Sequence, residues 1–168
     1  MTTVYLALGA NLGDREAAIA GAASRLAAAG VTVEDVSPLY ETDAVTPDPQ
    51  PLYLNAAARV RTVLPPRELL ALCQKVEGAL GRVRPTDRPV AARTLDIDLL
   101  LYGETILDEP PTIVVPHPRL LERPFVRIPL ADVAERGLVH PITREPLDRA
   151  APSPAVRRLE RRVLPGPT

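Results

Sequence analysis

One strand-like stretch, residues 93–102, constrains this chain most, because apolar and acidic side chains alternate along it. The alternation predicts a strand with one face turned into a core, and that face carries Leu95, Ile97, Leu99 and Leu101. Asp96 and Asp98 fall on the other face, about 7 Å apart along the strand. Two carboxylates at this spacing repel each other, and a cation between them relieves the repulsion. The acidic face is therefore either the solvated side of an edge strand or a site for Mg²⁺, which prefers oxygen ligands.

The composition limits the classes of protein to consider. A length of 168 residues predicts one domain, residues 1–168, with enough chain to bury a core. The net charge is −1, so the chain as a whole has no electrostatic attraction to nucleic acid or to a membrane surface. Cys73 is the only cysteine, which excludes an internal disulfide and fits a reducing compartment. Its apolar neighbours predict a buried, inert thiol.

Hydrophobic periodicity predicts the order β-α-β-β-α-β over the first two thirds of the chain. The predicted strands are residues 3–8, 31–40, 53–63 and 93–102, and the predicted helices are residues 15–29 and 65–80. This order is typical of a ferredoxin-like sandwich, an α+β fold in which helices pack on an antiparallel sheet. Shorter elements follow, namely extended runs at 105–107 and 112–115 and a helix or turn at 126–135. From about residue 139 onward we expect irregular structure, so that residues 140–168 form an extension.

Several polar side chains are candidates for binding a ligand. Tyr53 and Asn55 share one strand face, where a ring and an amide suit a flat heterocycle; the alternative is an exposed pair at a strand start. Gln74 and Glu77 lie three residues apart, off the apolar stripe of their helix, and face either a ligand or solvent. His117 stands between two prolines and is predicted to lie in a turn. Two long proline-containing loops, 42–52 and 82–92, have the length of functional loops.

Six blocks of the sequence, in order and with matching spacing, resemble hydroxymethyldihydropterin pyrophosphokinases of folate biosynthesis. The most specific is the Arg-x-x-Asp-x-Asp block that opens the strand at 93–102. The resemblance covers roughly residues 3 to 135. The blocks are Leu8–Gly13, Tyr53–Ala57, Gly81–Arg84, Arg93–Asp98, Val115–His117 and Arg123–Phe125.

The resemblance implies a reaction and a set of site residues. The family transfers pyrophosphate from ATP to the hydroxymethyl oxygen of 6-hydroxymethyl-7,8-dihydropterin and releases AMP. By position, Asp96 and Asp98 hold two Mg²⁺ ions and act in catalysis with Arg82 and Arg93. The implied ATP-binding residues are Gln74, Glu77, Arg82, Arg84, Arg93, Leu99, His117 and Arg123. The implied pterin-binding residues are Thr42, Val45, Tyr53, Asn55 and Phe125, with loop 42–52 closing over the pterin and loop 82–92 over both substrates.

The partners implied by the resemblance are ATP and the pterin. We expect a cytoplasmic monomer that binds neither nucleic acid nor a membrane. Two other readings stay open. Another magnesium-dependent phosphotransferase or a nuclease on the same fold could use the two aspartates, but it leaves Tyr53, Asn55 and Phe125 without a purpose. A non-catalytic ferredoxin-like binding module would show no Mg²⁺-dependent binding of ATP.

Overall fold

The computed structural model describes residues 1–43, 52–80 and 95–163 of the chain. Three α-helices, eight strands and a short 3-10 turn at Leu120–Glu122 appear in this part. The strands are β1 (Thr2–Ala10), β2 (Thr32–Val36), β3 (Pro38–Thr42), β4 (Tyr53–Thr62), β5 (Asp96–Tyr102), β6 (Leu107–Glu109), β7 (Ile113–Val115) and β8 (Arg157–Arg162). The helices are α1 (Arg15–Ala28), α2 (Pro66–Ala79) and α3 (Pro124–Val133). Within the described ranges no helix is long and apolar enough to cross a membrane.

The main sheet is antiparallel, in the order β5-β1-β4-β3-β8, and β2 also pairs with β4. The α+β class and the helices packed on an antiparallel sheet are therefore confirmed. The single strand predicted over 31–40 is wrong, because the chain forms β2 and β3 with a break at Ser37. Pro38 has no N–H for a continuous ladder. Instead, Ser37 Oγ accepts a 2.9 Å hydrogen bond from the Ala57 amide.

One face of the sheet carries the larger core. Alternate residues of β1 and β4, such as Leu6 and Val60, pack there against the apolar stripes of α1 and α2. Leu69 and Cys73 lie on the α2 stripe and are buried. Burial raises the pKa of the Cys73 thiol to about 12, so the thiol stays protonated and poorly nucleophilic, as its neighbours predict.

A β-bulge in β5 corrects one sequence prediction. In the pairing with β1, Tyr5 lies opposite Leu101 and Leu6 lies opposite Leu99, which leaves Leu100 as an extra residue. Leu99 packs in the larger core, whereas Leu100 and Leu101 both belong to the apolar cluster on the other face. The prediction that Leu101 shares a face with Leu99 is therefore wrong, because the bulge reverses the alternation.

Helix α3 covers part of that second face, and polar side chains of three strands hold its C-terminal end. The Arg59 guanidinium on β4 donates to the Val133 carbonyl at 2.9 Å. The Tyr5 hydroxyl on β1 accepts from the amide of Glu135 at 3.1 Å. Tyr40 on β3 donates from its hydroxyl to Oδ2 of Asp132 at 2.5 Å. These bonds satisfy groups near the end of α3 and fix the helix to the sheet.

The C-terminal part of the chain is more regular than its composition predicts. Residues 157–162 form β8, which pairs with β3, so the prediction of irregular structure to the end is wrong for this segment. Leu159 and Val163 turn toward the larger core, and arginines occupy most other positions. The short strand predicted at 105–107 is also displaced: the Thr105 amide closes a turn onto Tyr102, and Leu107–Glu109 pairs with β7 instead.

Candidate active site

A cleft of about 640 Å³ opens on the face that carries α3, beside the N-terminal end of that helix. Its floor is formed by β1, β4 and β5, and its walls by the end of β3 and by residues 117–126. Eight of the residues proposed from the sequence line this one cleft. They are Thr42, Tyr53, Asn55, Asp96, Asp98, His117, Arg123 and Phe125.

Strand register sets the distance between the two ends of the cleft. Gly9 on β1 lies opposite Asp96 on β5 and, on its other side, opposite Asn55 on β4. Because neighbouring strands are about 4.8 Å apart, the backbones of Asp96 and Asn55 are roughly 10 Å apart. Gly9 has no side chain, and a Cβ there would lie 3.6 Å from Asn55 Oδ1. The floor between the carboxylate and the amide is therefore open to a small molecule.

The amide of Asn55 has a defined orientation. The side chain is buried, and Nδ2 donates a 2.9 Å hydrogen bond to Thr42 Oγ1 on β3. With Nδ2 turned to β3, Oδ1 lies on the Gly9 side of the floor. The cleft thus offers a hydrogen-bond acceptor at the end away from the two aspartates.

The two aspartates lie on a strand edge that α2 stabilises. The amide of Ile97, between them in sequence, donates a 2.8 Å hydrogen bond to Glu77 Oε1. Both aspartate side chains line the cleft, on adjacent positions of the same face. Hard carboxylate oxygens at this spacing fit Mg²⁺, which takes one or two protein carboxylates and fills its shell with water and phosphate oxygens. Within the described residues, no cluster of three or more His, Cys, Asp or Glu side chains is placed to hold a metal.

His117, Arg119 and Arg123 add hydrogen-bond donors to the lining of the cleft, and His117 lies close enough to Asp96 and Arg123 for their charges to affect its pKa. The His117 amide donates to the carbonyl of Leu100, at the bulge of β5, at 2.9 Å. Its ring Nδ1 accepts from the Arg119 amide at 3.1 Å, so the neutral ring carries its proton on Nε2. Burial, and then the nearby Arg123 charge, lower the pKa of His117 below its usual 6.5. At neutral pH the ring is therefore an uncharged donor through Nε2.

Helix α3 begins at the cleft, and its first residues combine charge with an aromatic ring. Arg123 is the N-cap, and its guanidinium carbon lies 5.7 Å from the centre of the Phe125 ring. This cation–π contact holds the arginine beside the ring. Phe125 and Tyr53 both line the cleft, so two aromatic rings border the space that a flat ligand would occupy.

Other proposed residues lie elsewhere. Gln74 is exposed on α2, Leu99 is buried in the larger core, and Glu77 is 2% exposed behind β5. Its position on the helix predicts that Glu77 faces either a ligand or solvent. In the structure the side chain faces neither the cleft nor open solvent. Outside the described residues lie most of loop 42–52 and all of loop 82–92, and with them Val45, Arg82, Arg84 and Arg93.

Several other residues that line the cleft were not predicted from the sequence. Asp43 follows β3 and lines the cleft. Arg119 and Glu122 also line it, with Nε of Arg119 3.6 Å from Oε2 of Glu122. Gly9 and Ala7 were not recognised as the cleft floor. Alternation along β1 places both on the face opposite Leu6 and Leu8, and small residues at those positions were the available signal.

Comparison with known proteins identifies one family. Residues 5–135 match the family model described as 7,8-dihydro-6-hydroxymethylpterin-pyrophosphokinase. A 2-amino-4-hydroxy-6-hydroxymethyldihydropteridine pyrophosphokinase of Bacillus subtilis is 44% identical over 79% of this chain and 78% of its own length. The protein of the same name from Methylorubrum extorquens is 42% identical over 95% of this chain and 100% of its own. The folic acid synthesis protein fol1 of Pneumocystis carinii is 40% identical over 83% of this chain, which corresponds to only 18% of that longer protein.

Proposed function

The chain belongs to the 7,8-dihydro-6-hydroxymethylpterin-pyrophosphokinase family, and we propose that it transfers pyrophosphate from ATP to the hydroxymethyl oxygen of 6-hydroxymethyl-7,8-dihydropterin, with release of AMP. One observation carries the proposal beyond family membership. A single cleft floor joins a carboxylate pair, suited to metal-bound phosphates, to an amide acceptor and two aromatic rings. The open position at Gly9 lets one small molecule reach from the ring-binding end to the phosphate-binding end.

The pterin end of the cleft binds and orients the acceptor substrate. Asn55 Oδ1 accepts a hydrogen bond from an N–H of the pterin edge, and Thr42 keeps the amide in that orientation. Tyr53 and Phe125 stack on the ring. Val45, outside the described residues, is proposed to complete this side of the site.

The phosphate end positions ATP. Asp96 and Asp98 hold Mg²⁺, for which we propose two ions, and the metal supplies neutralisation of phosphate charge when bound. His117, through Nε2–H, and Arg123 donate to phosphate oxygens. Gln74, Glu77 and Leu99 are proposed for the ATP side, and the contact of Glu77 with Ile97 supports an indirect role for that carboxylate. The remaining proposed phosphate ligands are Arg82, Arg84 and Arg93.

The reaction forms one bond and breaks one. The pterin hydroxyl oxygen attacks the β-phosphorus of ATP, the bond from that phosphorus to the α–β bridging oxygen breaks, and AMP leaves. The hydroxyl proton passes to solvent. Phosphoryl-type transfer depends on positioning and charge neutralisation, and its loose transition state makes little demand for a strong protein base.

Nucleotide analysis tests this proposal. The protein is incubated with ATP, Mg²⁺ and hydroxymethyldihydropterin, and the nucleotides are separated by chromatography. We expect AMP in equal amount to pterin diphosphate, with formation of both slowed at least about 100-fold in Asp96→Asn. Pterin-dependent ADP would make the protein a γ-phosphate kinase, and a lack of turnover would favour a binding module. We further propose a single-domain monomer in the cytoplasm; light scattering after size exclusion tests the oligomeric state.

A further inference from the structure

The strand β8 lies outside residues 5–135, the part of the chain that matches the family model, yet it borders a wall of the cleft. Within the described residues it is one of the two edge strands of the sheet, and it pairs with β3, with Arg158 opposite Tyr40 and Arg157 opposite Glu41. The next residues of β3 are Thr42 and Asp43, and both line the cleft.

Four arginines of β8 each form an ion pair with an acidic residue from a different part of the chain. Arg157 Nη2 lies 3.7 Å from Oδ1 of Asp43, and Arg158 Nη1 lies 3.8 Å from Oδ1 of Asp132. The other two pairs are Arg161 with Glu16 at 3.3 Å and Arg162 with Asp35 at 3.5 Å. Each of these arginine side chains remains about half exposed, so the four pairs lie at the protein surface.

The first two pairs lead to the pterin end of the cleft. Asp132, which Arg158 contacts, also accepts the 2.5 Å hydrogen bond from the Tyr40 hydroxyl. Tyr40 lies directly opposite Asn55 in the pairing of β3 with β4. Asp43 follows Thr42, whose hydroxyl holds the Asn55 amide. Arg157 and Arg158 thus restrain β3 on both sides of the residue that orients Asn55.

The other two pairs lie away from the cleft. Arg162 is opposite Pro38, at the far end of β3, and its partner Asp35 is on β2. Glu16 is in the first turn of α1, which packs on the opposite face of the sheet. Arg161 and Arg162 therefore provide a control on the same strand, with ion pairs of the same kind and side chains of comparable exposure.

We propose that Arg157 and Arg158 are positioning residues for the pterin substrate, which they serve by holding the end of β3 so that Thr42 presents Asn55 Oδ1 to the cleft. The inference rests on the proposed function, because it takes the Asn55 end of the cleft as the pterin site. It adds a segment outside the family match to the machinery of substrate binding.

Steady-state kinetics of two double variants tests the inference. For Arg157→Ala with Arg158→Ala we expect the KM for the pterin to rise about five-fold, with the KM for ATP changed less than about two-fold, as two weakened surface pairs allow. Arg161→Ala with Arg162→Ala should leave both KM values within about two-fold. Replacing Arg157 and Arg158 by lysine should recover most of the pterin affinity, because the charge is retained.

Equal changes in the two double variants, or a parallel rise in both KM values, would overturn the inference and leave β8 a merely structural strand. If a double variant unfolds, the single changes Arg157→Ala and Arg161→Ala make the same comparison. A wild-type protein that does not turn over the pterin would instead overturn the proposed function, so the two failures are distinguishable.

Discussion

The amide of Ile97 and the carboxylate of Glu77 are joined by a 2.8 Å hydrogen bond, through which α2 holds the outer edge of β5 between Asp96 and Asp98. The edge of a sheet leaves backbone N–H groups without strand partners, and a side-chain carboxylate can satisfy one of them. This hydrogen bond thus connects α2 to the β5 backbone that carries both proposed metal ligands.

Replacing Glu77 tests that contact. Glu77→Ala leaves the buried Ile97 amide without this acceptor, and we expect the free energy of unfolding to fall by about 1–3 kcal/mol. Glu77→Gln keeps an acceptor oxygen and should lose clearly less. Urea unfolding measures both, and equal losses for the two variants would show that the hydrogen bond does not account for the effect.

The two aspartates should be essential for turnover but not for folding. We expect Asp96→Asn and Asp98→Asn each to lower kcat by at least about 100-fold, because each removes one charged oxygen ligand at the site of charge development. Circular dichroism should show unchanged secondary structure. Near-normal turnover by either variant at saturating Mg²⁺ contradicts the metal assignment.

Gly9 should be needed for binding of the pterin, because the absence of a side chain there leaves space on the floor of the cleft. A Cβ at Gly9 would make ordinary contacts, the nearest at 3.6 Å, so Gly9→Ala should fold with a nearly unchanged melting temperature. The added methyl group would project onto the floor between Asp96 and Asn55, and we expect the KM for the pterin to rise several-fold. Gly78→Ala, on α2 with no atom within 4 Å of the added Cβ, is the matched control and should leave the KM unchanged.

Stability should fall in mild acid, in part through His140. Its buried ring accepts two 3.2 Å hydrogen bonds at Nδ1, from the amides of Ile142 and Thr143. Burial lowers the pKa of His140 below 6.5, and the charge of Glu145 opposes the shift. Because the unfolded chain binds this proton more readily, the contribution is complete above pH 6.5 and is lost as the pH falls toward the folded pKa.

The variant His140→Asn, which retains a side-chain acceptor but does not titrate, isolates this contribution. Urea unfolding of both proteins at about pH 7.5 and about pH 5.5 spans the titration range of histidine. We expect a smaller loss of stability in the variant than in the wild type. The same loss in both proteins would exclude His140 as the source.

Local patterns predicted those features of the fold that depend on one element at a time. The stripe of α2 and the alternation of β4 follow from periods of 3.6 and 2, which any core of this kind requires. The faces of Leu100 and Leu101 could not be predicted this way, because the bulge exists only in the pairing with β1. Nor could β8, whose arginines pair with acids from several separate elements.

In the site, too, some features follow from a single element and others depend on how the elements are arranged. The acidic positions of β5 and the aromatic–amide pair of β4 were recognisable from residue type and spacing. The open floor at Gly9 depends on which strands are neighbours in the sheet, and that order is a property of the whole fold. The burial of Glu77 against β5 likewise depends on where α2 packs on the sheet. The 3.6-residue period of the α2 sequence does not determine that position.

Because of the bulge at Leu100, β5 contributes apolar side chains to both of the layers that flank the sheet. Ile97, Leu99 and Tyr102 pack in the layer of α1 and α2, whereas Leu100 and Leu101 pack in the layer of α3. Loosening either layer strips apolar cover from the same seven-residue strand. The two layers should therefore unfold in one cooperative transition, in which the aspartates lose their geometry together with both cores.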